Sequence, residues 1–235
     1  MSSSRVPVER TAERGGSDVR TGIAHVAEEI KPRLRGWLHA VMAPTAAVAG
    51  LVLVLVASTP AGKIGSGVFC LSAVLLFTVS ATYHTRVWSD RGRVLLKRFD
   101  HANIFLLIAG SYTPYAVLVL PPDAARNLLV LVWTGALLGV AFRVLWVGAP
   151  RWLYVPIYIG LGWAAVFWAG DFAAGTNAAV LTLMVTGGLL YTLGGLVYGT
   201  KRPDPAPQWF GFHEVFHGLT IAAFLTHYVG VWLVV

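Results

Sequence analysis

The segment His213-Glu214-Val215-Phe216-His217 places two histidines four residues apart at the start of the last apolar stretch. Four residues is about one helical turn, so both imidazoles project from one face of a helix. Neutral imidazole is a good zinc ligand, and a membrane helix rarely carries two titratable side chains without a use for them. One helix supplies only two ligands, so other segments must supply the rest. His84 ends the second apolar stretch and Asp100 opens the third. Ser80 lies one turn before His84, on the same face. Three histidine nitrogens with an acidic group, bound directly or through a water, would form an open tetrahedral zinc site of the kind that activates water near neutral pH. Each residue alone has a plainer reading. His84 suits a membrane interface, Asp100 suits a helix N-cap, and Ser80 suits a bond to the carbonyl one turn back. Their co-location is what favours a metal.

The elements that must position these residues are membrane helices. The chain has 235 residues, 56% hydrophobic and 12% charged, too apolar for a soluble domain of this size. Seven apolar stretches near 37–58, 64–85, 101–120, 127–147, 152–170, 177–199 and 212–234 are each long enough to cross a bilayer. Pro60, Pro121-Pro122, Pro150 and the run from Pro203 to Pro207 mark connections, whereas Pro44, Pro114 and Pro156 fall inside spans. Gly187-Gly188, Gly194-Gly195 and Gly199 predict close helix packing in the sixth span. The expected fold is an all-α membrane protein, a seven-transmembrane helix bundle over 36–235. Residues 1–35 read as a polar, basic, disordered cytosolic tail, without the apolar core of a signal peptide. The lone Cys70 excludes an intrachain disulfide and a cysteine-based zinc site.

Charge sets the expected orientation. With these spans, 16 of the 18 basic residues fall on one side, and only Lys63 and Arg126 on the other. The positive-inside rule then places the N-terminus in the cytosol and the C-terminus outside; the plasma (inner) membrane is the expected location. The net charge of +7 describes a rim beside anionic lipid, not a nucleic-acid surface. In this orientation Ser80, His84, Asp100, His213 and His217 gather near the cytosolic face. Among the other histidines, His101 points about 100° away from Asp100 on a helix. His39 reads as interfacial, and His25 lies in the tail. His227 sits about 21 Å along the helix from His213, where a buried hydrogen bond near the outer leaflet is its expected role.

Ser80-Ala-Thr-Tyr-His84, then Asp100-His101 leading into Leu107-Ile-Ala-Gly-Ser-Tyr-Thr-Pro114, then Gly211-Phe-His-Glu-Val-Phe-His217, resemble the hemolysin III family. This is the bacterial branch of the progestin and adipoQ receptor superfamily, and the resemblance covers roughly residues 35–235. It implies a seven-helix bundle with a cytosolic N-terminus and a zinc held by His84, His213 and His217. The family's acidic residue falls on Asp100, and the serine of its Ser-xxx-His motif on Ser80. The related adiponectin receptors and alkaline ceramidases imply hydrolysis of a membrane lipid amide. In that scheme zinc polarises the carbonyl and activates water, Asp100 is the general base, and Ser80 or zinc steadies the oxyanion. Bacterial members are also associated with cytolysis and membrane homeostasis.

Three functions therefore compete. The first is a zinc-dependent lipid amide hydrolase or membrane homeostasis factor. The alternative is a non-enzymatic sensor of lipid state, or a pore-forming cytolysin, with a structural zinc. No span repeats polar residues along its length, which argues against a channel. The third is an intramembrane metalloprotease, because His213-Glu214-xx-His217 matches the His-Glu-x-x-His pattern with Glu214 as base. Against it, the motif opens a span at the interface, and His84 already offers a third ligand. Receptor-branch relatives also carry glutamine at the Glu214 position.

Overall fold

The computed structural model describes residues 32–235. The expected tail up to Lys31, with His25, lies outside the described residues. The apolar stretches form helices α1 Trp37–Val56, α2 Pro60–Thr85, α3 Asp90–Val119, α4 Pro122–Leu145, α5 Arg151–Gly162, α6 Ala169–Gly175, α7 Ala178–Thr200 and α8 Phe212–Trp232. A 3₁₀ turn, Ala164–Trp168, joins α5 to α6 so that both belong to one span. Among the described residues, seven spans are thus long and apolar enough to cross a membrane. Among the described residues no strand forms beyond an isolated bridge between Ala206 and Phe210.

The helix starts follow local chemistry. The side chains of Thr59 and Asn177 accept from the backbone N–H groups of Gly62 and Val180, each at 3.0 Å, satisfying donors that the first turn leaves free. Proline occupies the first position of α2 and α4, where its missing N–H costs nothing. Short connections make the spans run up and down between two ends. Residues 33–34 bond to the carbonyls of Gln208 and Trp209, which fixes the N-terminal segment and the α7–α8 connection at one end. Ser58 bonds to the Val235 carbonyl at the other. The first end carries the basic connections; the second carries Lys63 and Arg126.

α3 is the central helix. Of its apolar window 72% is buried, against 28% for α1 and α4 and 22% for α7. Phe69, Phe77, Phe105 and Phe224 fill the core with no exposure, while Leu51, Leu71 and Leu138 face outward, as a lipid-bathed surface allows. Gly194 lets α7 approach Leu219 and Phe216 of α8, and Gly195 and Gly199 receive Val155 and Ile159 of α5. This is the close packing expected from the glycine pattern.

Two boundaries differ from the sequence expectation. α3 begins at Asp90, well before residue 101, because Ser89 caps it by accepting from Gly92 N at 3.3 Å. Asp100 is therefore mid-helix and does not cap. Arg91, Arg93, Lys97 and Arg98 ride on helix rather than loop. Arg143 lies in the last turn of α4, inside the expected span. The fifth span is broken after Gly162, where the Tyr112 hydroxyl donates to the Gly162 carbonyl and accepts from Ala165 N. A side chain inserted into the backbone ladder is an established cause of such a break.

Candidate metal centre

His84 comes from the last turn of α2, and His213 and His217 come from the first turns of α8. All three are buried, and one ligand atom from each lies within 4.8 Å of the others. His84 Nε2 and His213 Nε2 are 3.2 Å apart. Tetrahedral zinc with nitrogen ligands at 2.0–2.1 Å sets its donors about 3.3 Å apart, so this spacing fits. His217 Nδ1 is buried without a hydrogen-bond partner. Three buried imidazoles that each bring one nitrogen to a common point are a donor set suited to a divalent transition metal.

Asp100 Oδ2 stands 3.7 Å from His84 Nε2, too far for a direct hydrogen bond and close enough for an electrostatic contact. The Ser80 hydroxyl hydrogen-bonds the Asp100 carboxylate, so α2 and α3 present these two side chains as a unit. The five residues singled out from the sequence are thus brought together. His101 lies beside the site, its Nδ1 3.8 Å from Asp100 Oδ2, but its nitrogens are engaged elsewhere. Its Nδ1 pairs with the Lys97 carbonyl at 2.8 Å and its Nε2 with the Tyr198 hydroxyl at 3.0 Å, which commits both nitrogens.

His39 is the clearest correction. It is 2% exposed rather than interfacial, and its ring stacks on His217 with centroids 3.8 Å apart. It fixes the plane of that imidazole from α1. No local pattern signals this, because the contact joins the first span to the last. Glu214 is also more than a bystander. Its Oε1 accepts from Arg35 Nε at 2.6 Å and its Oε2 from Gly211 N at 2.8 Å, with the side chain fully buried. Both oxygens are occupied in holding the start of α8. Asp204 adds a cap by accepting from Phe212 N at 2.8 Å. Gly36, at φ 86°, turns the chain into α1 so closely that a Cβ there would stand 2.7 Å from His84 Cβ. Only glycine fits both the dihedral and the space.

Ser80, Asp100, His39 and His217 open onto a cavity of about 240 Å³ that runs between α3, α5, α7 and α8. Its walls are mostly apolar, including Ile104, Leu107, Tyr158, Met184 and Phe172. At its far end stands His227. There the Tyr115 hydroxyl donates to the backbone carbonyl of His227, and the ring lies parallel to Tyr191, while Nδ1 has no partner. The expected side-chain hydrogen bond at that nitrogen is not formed.

Comparison with known proteins agrees with this architecture. Residues 28–228 match the family described as Haemolysin-III related. The chain is 31% identical to a hemolysin-3 homolog of Bacillus subtilis over 62% of its own length and 68% of the relative's. It is 25% identical to hemolysin-3 of Bacillus cereus, over 74% and 78% respectively. It is also 28% identical to an adiponectin receptor protein of Drosophila melanogaster, over 72% of this chain and 42% of that one. The chain belongs to the hemolysin III family of the progestin and adipoQ receptor superfamily.

Proposed function

We propose that this protein is a zinc-dependent hydrolase of a membrane lipid amide, with its N-terminus in the cytosol and its metal site at the inner leaflet of the plasma membrane. The observation that carries the reading is Asp100. Its carboxylate is held by Ser80, faces His84 across 3.7 Å, and lies at the head of an apolar cavity. A carboxylate placed at the mouth of an apolar cavity is positioned to exchange a proton with a water beside a bound lipid. His84, His213 and His217 would hold the zinc, which when bound polarises a carbonyl and makes water more acidic. Asp100 then takes a proton from the attacking water and returns it to the leaving nitrogen. The carbon–nitrogen bond breaks, a carboxylic acid and an amine form, and the proton count closes. Ser80 orients Asp100, and the cavity excludes water from the acyl chain. Orientation is supported by the basic connections, which share the end of the bundle that carries the histidines.

The test is elemental analysis of detergent-purified full-length protein, with hydrolysis of ceramide and other N-acyl lipids assayed beside Asp100→Asn. The expected result is about one zinc per chain, turnover by the parent, and zinc without turnover in the variant. Zinc with no turnover across the lipid panel would instead support a lipid-state sensor with a structural metal. Protein that carries no zinc under metal-replete preparation overturns both.

A further inference from the structure

We infer that a second pocket, between the end of α4 and the start of α5, binds a phosphate-type oxyanion. Arg143, in the last turn of α4, is 1% exposed, and its Nε is buried without a hydrogen-bond partner. Its two terminal nitrogens donate to the carbonyls of Trp146 and Val147 at 3.3 and 3.5 Å, and its guanidinium lies 4.3 Å over the Tyr154 ring. Arg151, the first residue of α5, is held 4.6 Å over the Tyr198 ring and buries an unpartnered Nη1. Lys97 of α3 completes the wall.

The pocket is about 240 Å³ and reaches solvent beside Gly148 and Lys97. No carboxylate lines it, and among the described residues none of its three cations enters an ion pair. Burying a guanidinium away from water without a counter-charge is costly, so a site that buries Arg143 and holds the half-buried Arg151 beside it calls for an anion. Arginine's planar fork matches phosphate oxygens, and both forks are already fixed by stacking on tyrosine. The N-terminus of α5 borders the pocket through Pro150 and Arg151, which adds the positive end of a helix. The pocket is distinct from the metal centre. The two share only one wall, Tyr198.

A phosphate group reaches this end of the bundle either as the headgroup of an anionic phospholipid or as a free ion, and one experiment separates them. Full-length protein in a neutral detergent is titrated with inorganic phosphate at constant ionic strength, and separately with phosphatidic acid against phosphatidylcholine, while the unfolding midpoint is followed. A saturable rise with phosphate identifies the free ion. A rise with phosphatidic acid alone identifies the headgroup. In either case Arg151→Gln weakens the half-saturating concentration by about tenfold, the loss expected for one charge-assisted contact. Lys97→Gln, on an exposed side chain, weakens it by about threefold. Arg143 is too buried to be the diagnostic variant, and the proposal does not depend on it folding. No saturable rise with either ligand, or a rise that Arg151→Gln leaves unchanged, overturns the proposal.

Discussion

Two of the histidines that α8 buries, His217 and His227, line the same cavity near its two ends, and they differ in their company. His217 is met by His84 from α2, His213 one turn away and His39 from α1. His227 meets the flat face of Tyr191 and a glycine, and its Nδ1 is left unpaired. Both rings are deeply buried, at 2% and 9% exposure, so burial does not separate them. Convergence does. A donor set needs several helices to aim polar atoms at one point, and among the described residues only the end carrying the basic connections has them.

The sharpest way to break this comparison is to remove one member of each group. His213→Ala is expected to lose the metal outright, with affinity falling by more than the ~100-fold that loss of a mere supporting residue can cause. His227→Ala should keep full metal content by elemental analysis, and equal loss in both would make the distinction meaningless. Next comes the ion pair behind the histidines. Arg35→Ala leaves Glu214 buried and unpaired, so the variant should lose about 3 kcal/mol of stability in thermal unfolding and shed metal as the start of α8 loosens. A smaller effect is expected at the far end. A Cβ at Gly187 would stand 2.5 Å from His227 Nε2, so Gly187→Ala should cost about 1–3 kcal/mol while metal content holds. The smallest belongs to His227→Phe, which replaces an unsatisfied ring by an apolar one of similar shape. Its midpoint should move by less than about 1 kcal/mol in either direction. A large loss there would mean that His227 has a polar partner when lipid is present.

How much was legible in the sequence follows the range of the forces involved. Hydropathy over some twenty residues located all seven spans, because bilayer thickness imposes that length on each one. Helical spacing put His213 and His217 on one face, and alternating spans brought them to the end where His84 and Asp100 lie. The start of α3 was hidden because Asp90–Asp100 is polar, and hydropathy reads a charged helix as a loop. Arg143 looked like a rim charge for the same reason, although it is buried under the α4–α5 connection. His39 against His217 and Arg35 against Glu214 join the first span to the last, and no local pattern encodes a contact of that separation. The break in the fifth span depends on Tyr112, which belongs to a different helix.

The 129 residues between His84 and His213 also have a meaning in time. A ribosome adds about 5–20 residues per second, so α2 and α3 are made on the order of ten seconds before α8 can join them. Through that interval the nascent chain holds only Ser80, His84 and Asp100 of the candidate centre. The centre closes only when the last span enters the bundle and Glu214 finds Arg35. Under the proposed zinc reading, capture therefore waits for α8, and a chain truncated before that helix would leave the ribosome without two of the three histidines.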